Sequence, residues 1–184
     1  MDRTSLTGAR DADIILIDFA SALRRSELAA LTLADLDIRP HGLLLTARRS
    51  KTDQEGRGHV VGVVHGQHAA TDPIAALHHS LNRRGHTPGP LFVNLRTGHL
   101  THDPIHGDGI ARMLKRRATA AGLSAERITG HSLRSGHATT AALAGVSIEK
   151  IAAQTRHRHL STLLERYIRP IDALQHTTSG DLGL

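Results

Sequence analysis

The chain contains no cysteine and no tryptophan, and its 184 residues include only two phenylalanines and one tyrosine. Without cysteine there is no disulfide, no thiol nucleophile and no cysteine-ligated zinc, a usage that fits a reducing cytosol. Aromatics at 2% argue against the stacking platforms that hold single-stranded nucleic acid. The core must therefore be built from Ala, Leu, Ile and Val. Long apolar runs are also missing. Residues 14–19 form a short stretch that carries Asp18, well below the roughly 20 apolar residues that cross a bilayer. The start, Met-Asp-Arg-Thr, lacks the basic cluster and apolar run of a secretion signal. These absences predict a cytoplasmic chain with no membrane partner.

What is present is positive charge, unevenly placed. Residues 1–38 carry four basic and seven acidic groups, residues 39–169 nineteen basic and eight acidic, and residues 170–184 two acidic. A basic middle between mildly acidic ends suits a polyanion held on one face. The length matches one compact domain. Residues 1–9 read as a linker or disordered lead-in, 10–169 as the domain, and 170–184 as a polar tail suited to contact with another protomer.

Periodicity predicts a mainly α fold with one small antiparallel β-sheet, an α+β class. Helices are expected over 10–22, 26–31, 71–84, 105–121, 131–144, from Ser147 onward, and over 160–168. Strands are expected over 43–48 and 59–65, joined as a hairpin with Lys51 near its tip.

Six residues stand out for chemistry: Arg24, Lys51, His131, Arg134, His157 and Tyr167. Arginine forks bind phosphate oxygens with two parallel bonds and keep their charge. Lysine can protonate a leaving alkoxide, and a phenol can store bond energy as a covalent ester. Glu27, three residues after Arg24, is placed to hold its guanidinium. His131 and Arg134, three apart at a helix start, are placed to reach one anion with help from the helix terminus. Taken singly, each has an ordinary alternative: a surface arginine, a chance His-x-x-Arg among fifteen histidines, a helix tyrosine packed in the core. The histidines lack the carboxylate or cysteine company of a metal site, so no metal is expected. On the helix at 105–121, Arg112, Lys115 and Arg116 form a basic face suited to duplex DNA, and Arg49 lies beside Lys51.

In order, these segments resemble the catalytic domain of the tyrosine recombinases, the phage-integrase family. The matching stretches are Ala-Leu-Arg-Arg-Ser-Glu-Leu at 22–28, Arg-Arg-Ser-Lys-Thr-Asp at 48–53, Gly-His-Ser-Leu-Arg-Ser-Gly-His-Ala at 130–138, Leu-Ala-Gly-Val-Ser-Ile at 143–148, and residues 154–169. The resemblance implies that Arg24, His131, Arg134 and His157 surround the scissile phosphate and that Glu27 supports Arg24. It makes Lys51 the acid for the leaving 5′-oxygen and Tyr167 the nucleophile of a 3′-phosphotyrosine link. It also implies double-stranded DNA as partner, self-association on DNA, no cofactor, and a bacterial, nucleoid-associated setting. The function expected is site-specific recombination or integration. Type IB topoisomerase-like relaxation is the alternative within the same chemistry, and a non-catalytic DNA-binding remnant the alternative outside it. Three departures accompany the match. Arg156 stands where glycine is usual, and the step from His157 to Tyr167 is one residue longer than usual. The family's separate N-terminal DNA-binding domain is not among these residues. The longer step predicts that Tyr167 is held away from the arginines until a partner or DNA brings it in.

Overall fold

The computed structural model describes residues 1–48, 58–157, 159–161 and 163. These divide into two compact units, residues 1–134 and 135–184.

The first unit opens with α1 (Leu6–Ser21). The lead-in expected over residues 1–9 is shorter than its sequence suggests. Ser5 caps the helix by accepting from the Gly8 amide at 3.1 Å, and the Asp2 carboxylate accepts from the Thr4 amide and hydroxyl at 2.8 and 2.6 Å. Capping by short polar side chains nucleates the helix four residues before its apolar pattern becomes regular. Gly8 is needed there, since a Cβ would fall 1.6 Å from the Asp2 carbonyl oxygen. Next come α2 (Arg25–Ala30), β1 (Leu36–Arg39), β2 (Gly42–Ala47), β3 (His59–Val63) and α3 (Pro73–Arg84). Asp72 caps α3 by accepting from Ile74 and Ala75, and proline takes the first position, where its missing amide costs nothing. The unit continues through β4 (Val93–Arg96), β5 (His99–Pro104) and α4 (Gly107–Ala120).

The expected hairpin is the β2–β3 pair, with Leu43 opposite Val63 and Leu45 opposite Val61. β1 adds a third strand on the other edge of β2, Leu36 facing Leu45. The β2 pattern alternates, with Leu43, Leu45 and Ala47 buried, as one face of a half-covered sheet requires. The expectation of a single sheet is corrected: β4 and β5 form a second, two-stranded antiparallel sheet. Its turn, Thr97-Gly98, has positive φ at both residues (50° and 82°), the backbone of a tight two-residue hairpin. A β-branched residue in that conformation is unusual, so Thr-Gly does not announce the turn as Asn-Gly would.

Ile14 and Ile17 of α1, Leu43, Leu45, Val61 and Val63 of the sheet, Ile74, Leu77 and Leu81 of α3, and Ile110, Met113 and Leu114 of α4 share one core with Leu23, Leu28, Leu31 and Phe92. Helix α1 packs on α3, β3 and α4, while α2 packs on α4. One buried carboxylate joins α1 to α4. Asp11 takes Arg10 at 2.7 Å, Arg117 at 2.7 Å and Arg116 at 3.3 Å.

Helix α5 (Ser132–Leu143) begins in the first unit and runs into the second, and α6 (Ile148–Thr155) follows. Ser147 caps α6 by accepting from the Lys150 amide. In the second unit Ala138, Ile151, Ala152 and Leu163 form a small apolar cluster. Of the helix expected over 160–168, residues 160, 161 and 163 are described and helical; its remainder and the tail lie outside the described residues. No described helix is long and apolar enough to cross a membrane.

Candidate active site

The junction between α1 and α2 carries the first arginine. Helix α1 ends when Ala22 turns into the left-handed region, φ 50° and ψ 33°, with its amide bonded to the Asp18 carbonyl at 2.9 Å. That turn reverses the chain within two residues. Leu23 drops into the core, 1% exposed, and Arg24 becomes the cap of α2. Glu27 then binds Arg24 twice. One carboxylate oxygen accepts from the Arg24 amide at 2.8 Å and the other from its guanidinium at 2.8 Å. The Glu27 side chain is fully buried and that of Arg24 is 28% exposed. The acid is committed to the fold, and the arginine keeps part of its fork toward solvent. The pairing expected from sequence is present, although Arg24 precedes the helix rather than lying in it.

Arg134 reaches the same junction from α5. It is 4% exposed, and its guanidinium donates to the Ala22 carbonyl at 2.6 Å. This hydrogen bond joins residues 112 positions apart and brings Arg134 to the turn that presents Arg24. Asp18, one turn back on α1, is 2% exposed. Burial pushes its carboxyl up to about 7, and the charge of Arg134 draws it partly back. A buried guanidinium beside a buried carboxylate is stable only while both are held.

His131 lies in the turn before α5 and is exposed. That turn is set by three local bonds: the His131 amide to the Thr129 hydroxyl at 3.2 Å, the Thr129 amide to the Ser132 hydroxyl at 2.8 Å, and the Ser132 amide to the Thr129 carbonyl at 3.2 Å. Gly130 has a separate reason to be glycine. A Cβ there would lie 2.7 Å from a guanidinium nitrogen of Arg25, which also packs over Gly107 and meets Asp108 at 3.4 Å. Arg25 thus links the α2 start to the His131 turn and the α4 start.

On α4, Ile110, Met113, Leu114 and Ala118 are buried while Arg112, Lys115 and Arg116 reach solvent. The three basic residues are not equivalent, because Arg116 also donates to Asp11 at 3.3 Å. At the end of β2, Arg48 pairs with Asp35, which also accepts from the Thr32 amide and hydroxyl at 2.8 and 2.6 Å. Although burial opposes it, the Thr32 hydroxyl and Arg48 hold the Asp35 carboxyl below its usual range. Arg48 follows directly on the strand; Arg49 and Lys51 lie outside the described residues, as does Tyr167.

His157, in the second unit, follows α6. The helix ends with Arg156 in the left-handed region, φ 54° and ψ 45°, and the His157 amide bonds back to the Ala152 carbonyl at 3.1 Å. This explains why glycine is the expected residue at 156: only glycine adopts that backbone without steric cost. The His157 ring nitrogen Nδ1 lies 2.7 Å from the Thr155 hydroxyl oxygen.

Sequence reasoning missed Ala22, Asp18 and Thr155. Ala22 acts through a backbone carbonyl, which leaves no trace in residue type. Asp18 is legible only as a polar break in an apolar helix face. Thr155 is two residues from His157, but their hydrogen bond requires the left-handed turn between them.

A profile of the phage integrase family matches residues 1–173. An integrase/recombinase XerD homolog of Selenomonas ruminantium is 33% identical over 168 residues, covering 91% of this chain and 49% of that protein. A tyrosine recombinase XerC of Syntrophus aciditrophicus (strain SB) is 29% identical over 164 residues, covering 84% and 47%. The chain spans about half the length of the curated relatives it matches. Among solved structures, XerA recombinase superposes with a TM-score of 0.71 at 22% identity, over 95% of this chain and 57% of that one. XerH bound to a palindromic difH substrate, in a post-cleavage complex, superposes with a TM-score of 0.74 at 17% identity, over 98% and 48%. At those identities the likeness carries the fold. With the family profile covering nearly all of the sequence and a relative one-third identical across it, the chain belongs to the phage integrase family.

Proposed function

We propose that this chain is the catalytic part of a site-specific tyrosine recombinase acting on double-stranded DNA. The observation that carries the reading is the α1–α2 junction. There, two arginines distant in sequence are anchored to one turn, Arg24 through Glu27 and Arg134 through the Ala22 carbonyl. In the proposed reaction Arg24 and Arg134 bind the non-bridging oxygens of the scissile phosphate and stabilise the added charge of the transition state. The Tyr167 hydroxyl attacks phosphorus, with His131 assisting proton transfer. The bond to the 5′-oxygen breaks as Lys51 gives that oxygen a proton, and His157 hydrogen-bonds the phosphate. The products are a 3′-phosphotyrosine and a free 5′-hydroxyl. Attack by a partner strand's 5′-hydroxyl reverses the step and joins new ends, so the bond energy is conserved. Arg112 and Lys115, with Arg49 and to a lesser extent Arg116, contact the DNA backbone. Copies of the chain associate on DNA through the segment after residue 170. The setting is bacterial and nucleoid-associated.

The test is a nicked suicide duplex, which traps the covalent intermediate by losing the attacking strand. The chain forms an adduct, and Tyr167→Phe forms none while binding DNA with nearly unchanged affinity, since charge rather than the phenol supplies binding. Lys51→Ala is defective on a normal 5′-oxygen but not on a 5′-phosphorothiolate, whose thiolate leaves without a proton. Binding without any adduct would identify a DNA-binding remnant. Undiminished adduct from Tyr167→Phe would refute the nucleophile assignment.

A further inference from the structure

Thr155 is the last residue of α6 and is completely buried. Its hydroxyl oxygen lies 2.6 Å from the Ile151 carbonyl oxygen and 2.7 Å from His157 Nδ1. The hydroxyl has one proton to give, and a carbonyl oxygen can only accept. Two oxygens at 2.6 Å repel unless a hydrogen lies between them, so the Thr155 proton points at Ile151. That leaves a lone pair of the hydroxyl facing Nδ1. Two lone pairs at 2.7 Å would also repel, so Nδ1 carries a hydrogen. We infer that Thr155 is a positioning residue that fixes neutral His157 as its Nδ1–H tautomer, leaving Nε2 able to donate a hydrogen bond only when the ring is protonated.

The backbone makes this arrangement durable. The left-handed turn at Arg156 and the bond from the His157 amide to Ala152 fold residue 157 back over residue 155. The ionisable residues flanking His157 along the chain are Arg156, Arg158 and His159, and the oxygen set against Nδ1 is that of Thr155. The consequence for chemistry rests on the proposed placement of His157 at the scissile phosphate. A neutral ring would turn an Nε2 lone pair toward a phosphate oxygen and repel it. A protonated ring offers a charge-assisted hydrogen bond as negative charge builds on that oxygen. Thr155 thereby makes the contribution of His157 conditional on a proton taken from solvent.

The tautomer is read directly in the full chain labelled with ¹⁵N-histidine, by long-range proton–nitrogen correlation at a pH where the ring is neutral. The His157 signals are identified by their loss in His157→Gln. The wild type is expected to show a protonated Nδ1 and a bare Nε2. Thr155→Val, which keeps the shape and removes the oxygen, shifts the ring toward the Nε2–H form, and Thr155→Ser restores the original pattern. An Nε2–H ring in the wild type, or an unchanged ring in Thr155→Val, would overturn the inference without touching the proposed reaction. The second measurement is the pH profile of adduct formation. The wild-type contribution of His157 should fall about tenfold per pH unit above the ring's titration, whereas Thr155→Val retains it because neutral Nε2–H can donate. Coincident profiles would overturn the coupling. Absence of adduct from every chain, wild type included, would refute the recombinase reading and leave the tautomer to be decided by its spectrum.

Discussion

The Arg134 guanidinium donates to the carbonyl oxygen of Ala22 at 2.6 Å, at the turn that launches Arg24. One backbone atom therefore holds Arg134, at the start of α5, to the α1–α2 junction. The two arginines proposed to hold the phosphate are both set by this corner, and the charge of Arg134 acts on the buried Asp18 carboxyl. A small displacement of the Ala22 turn would move both.

Arg134→Lys keeps the charge but loses the fork. A lysine cannot serve the Ala22 carbonyl and hold a phosphate oxygen with fixed geometry. Covalent adduct formation should drop at least a hundredfold. Denaturant unfolding should show a loss of about 1–3 kcal/mol from the ill-satisfied carbonyl and carboxylate. Adduct formation at the wild-type rate would remove Arg134 from the proposed chemistry.

Glu27→Gln tests the Arg24 support. The amide can still accept one bond, but it places a donor against either the Arg24 amide or its guanidinium. The expected result is a stability loss of about 1–3 kcal/mol and an adduct rate lowered at least tenfold, with DNA affinity changed far less. Single-turnover kinetics and a binding titration separate the two effects.

Ala22 and Arg156 both end helices in left-handed backbone. Glycine removes a steric cost of about 1 kcal/mol at such a position. Part of that gain is offset by the greater freedom glycine gives the unfolded chain. Arg156→Gly should raise the melting temperature by about 1–3 °C. Ala22→Gly should gain less, because the Ala22 methyl is fully buried and its loss costs about 0.8 kcal/mol. It should leave the Arg134 hydrogen bond in place, since that uses the carbonyl. A lower melting temperature for Arg156→Gly would show that its side chain contributes more than its backbone costs.

Asp13 gives a pH signature. It is 1% exposed on α1, and neither carboxylate oxygen has a hydrogen-bond partner of normal geometry among the described residues. Burial raises its carboxyl to about 8, only partly offset by the Ser80 hydroxyl. The folded chain therefore keeps a proton that the unfolded chain releases near its ordinary value of 3.8. Between those values the native state binds more protons, so stability falls as pH rises, by up to about 1.4 kcal/mol per pH unit for one group. The loss is complete once the pH passes the folded value. Asp13→Asn should flatten the decline between about pH 5 and 8 in denaturant midpoints. An unchanged slope would assign it elsewhere, with Asp18, also raised by burial, the first group to examine.

Arg112 and Lys115 should each contribute to the salt dependence of DNA binding, whereas Arg116 should contribute less because it also serves Asp11. Replacing Arg112 or Lys115 by Ala should reduce the slope of log affinity against log salt by about 0.9 for each phosphate no longer neutralised. Equal slopes for all three variants would mean that the ion pair with Asp11 does not restrain Arg116.

The sequence by itself determined the family resemblance, the fold class, most helix boundaries, the β2–β3 hairpin and the Arg24–Glu27 pair. These were legible because each rests on local chemistry: apolar periodicity, capping residues, proline at a helix start, an acid three residues after an arginine. Helix α3 is the clear case, with Asp72 and Pro73 marking its start. The β4–β5 sheet was not legible, because its Thr97-Gly98 turn uses a residue that ordinarily avoids positive φ. Nor was the destination of Arg134. His-x-x-Arg places two side chains at a helix start, but they differ in burial: His131 is exposed, while Arg134 is buried and bonded to Ala22. Only tertiary packing could decide that, because the acceptor is a carbonyl that every residue possesses. The same holds for the hydrogen on His157. Residue type permits either ring nitrogen to carry it, and the choice follows from a left-handed turn, a buried hydroxyl and one helix carbonyl meeting at a single point.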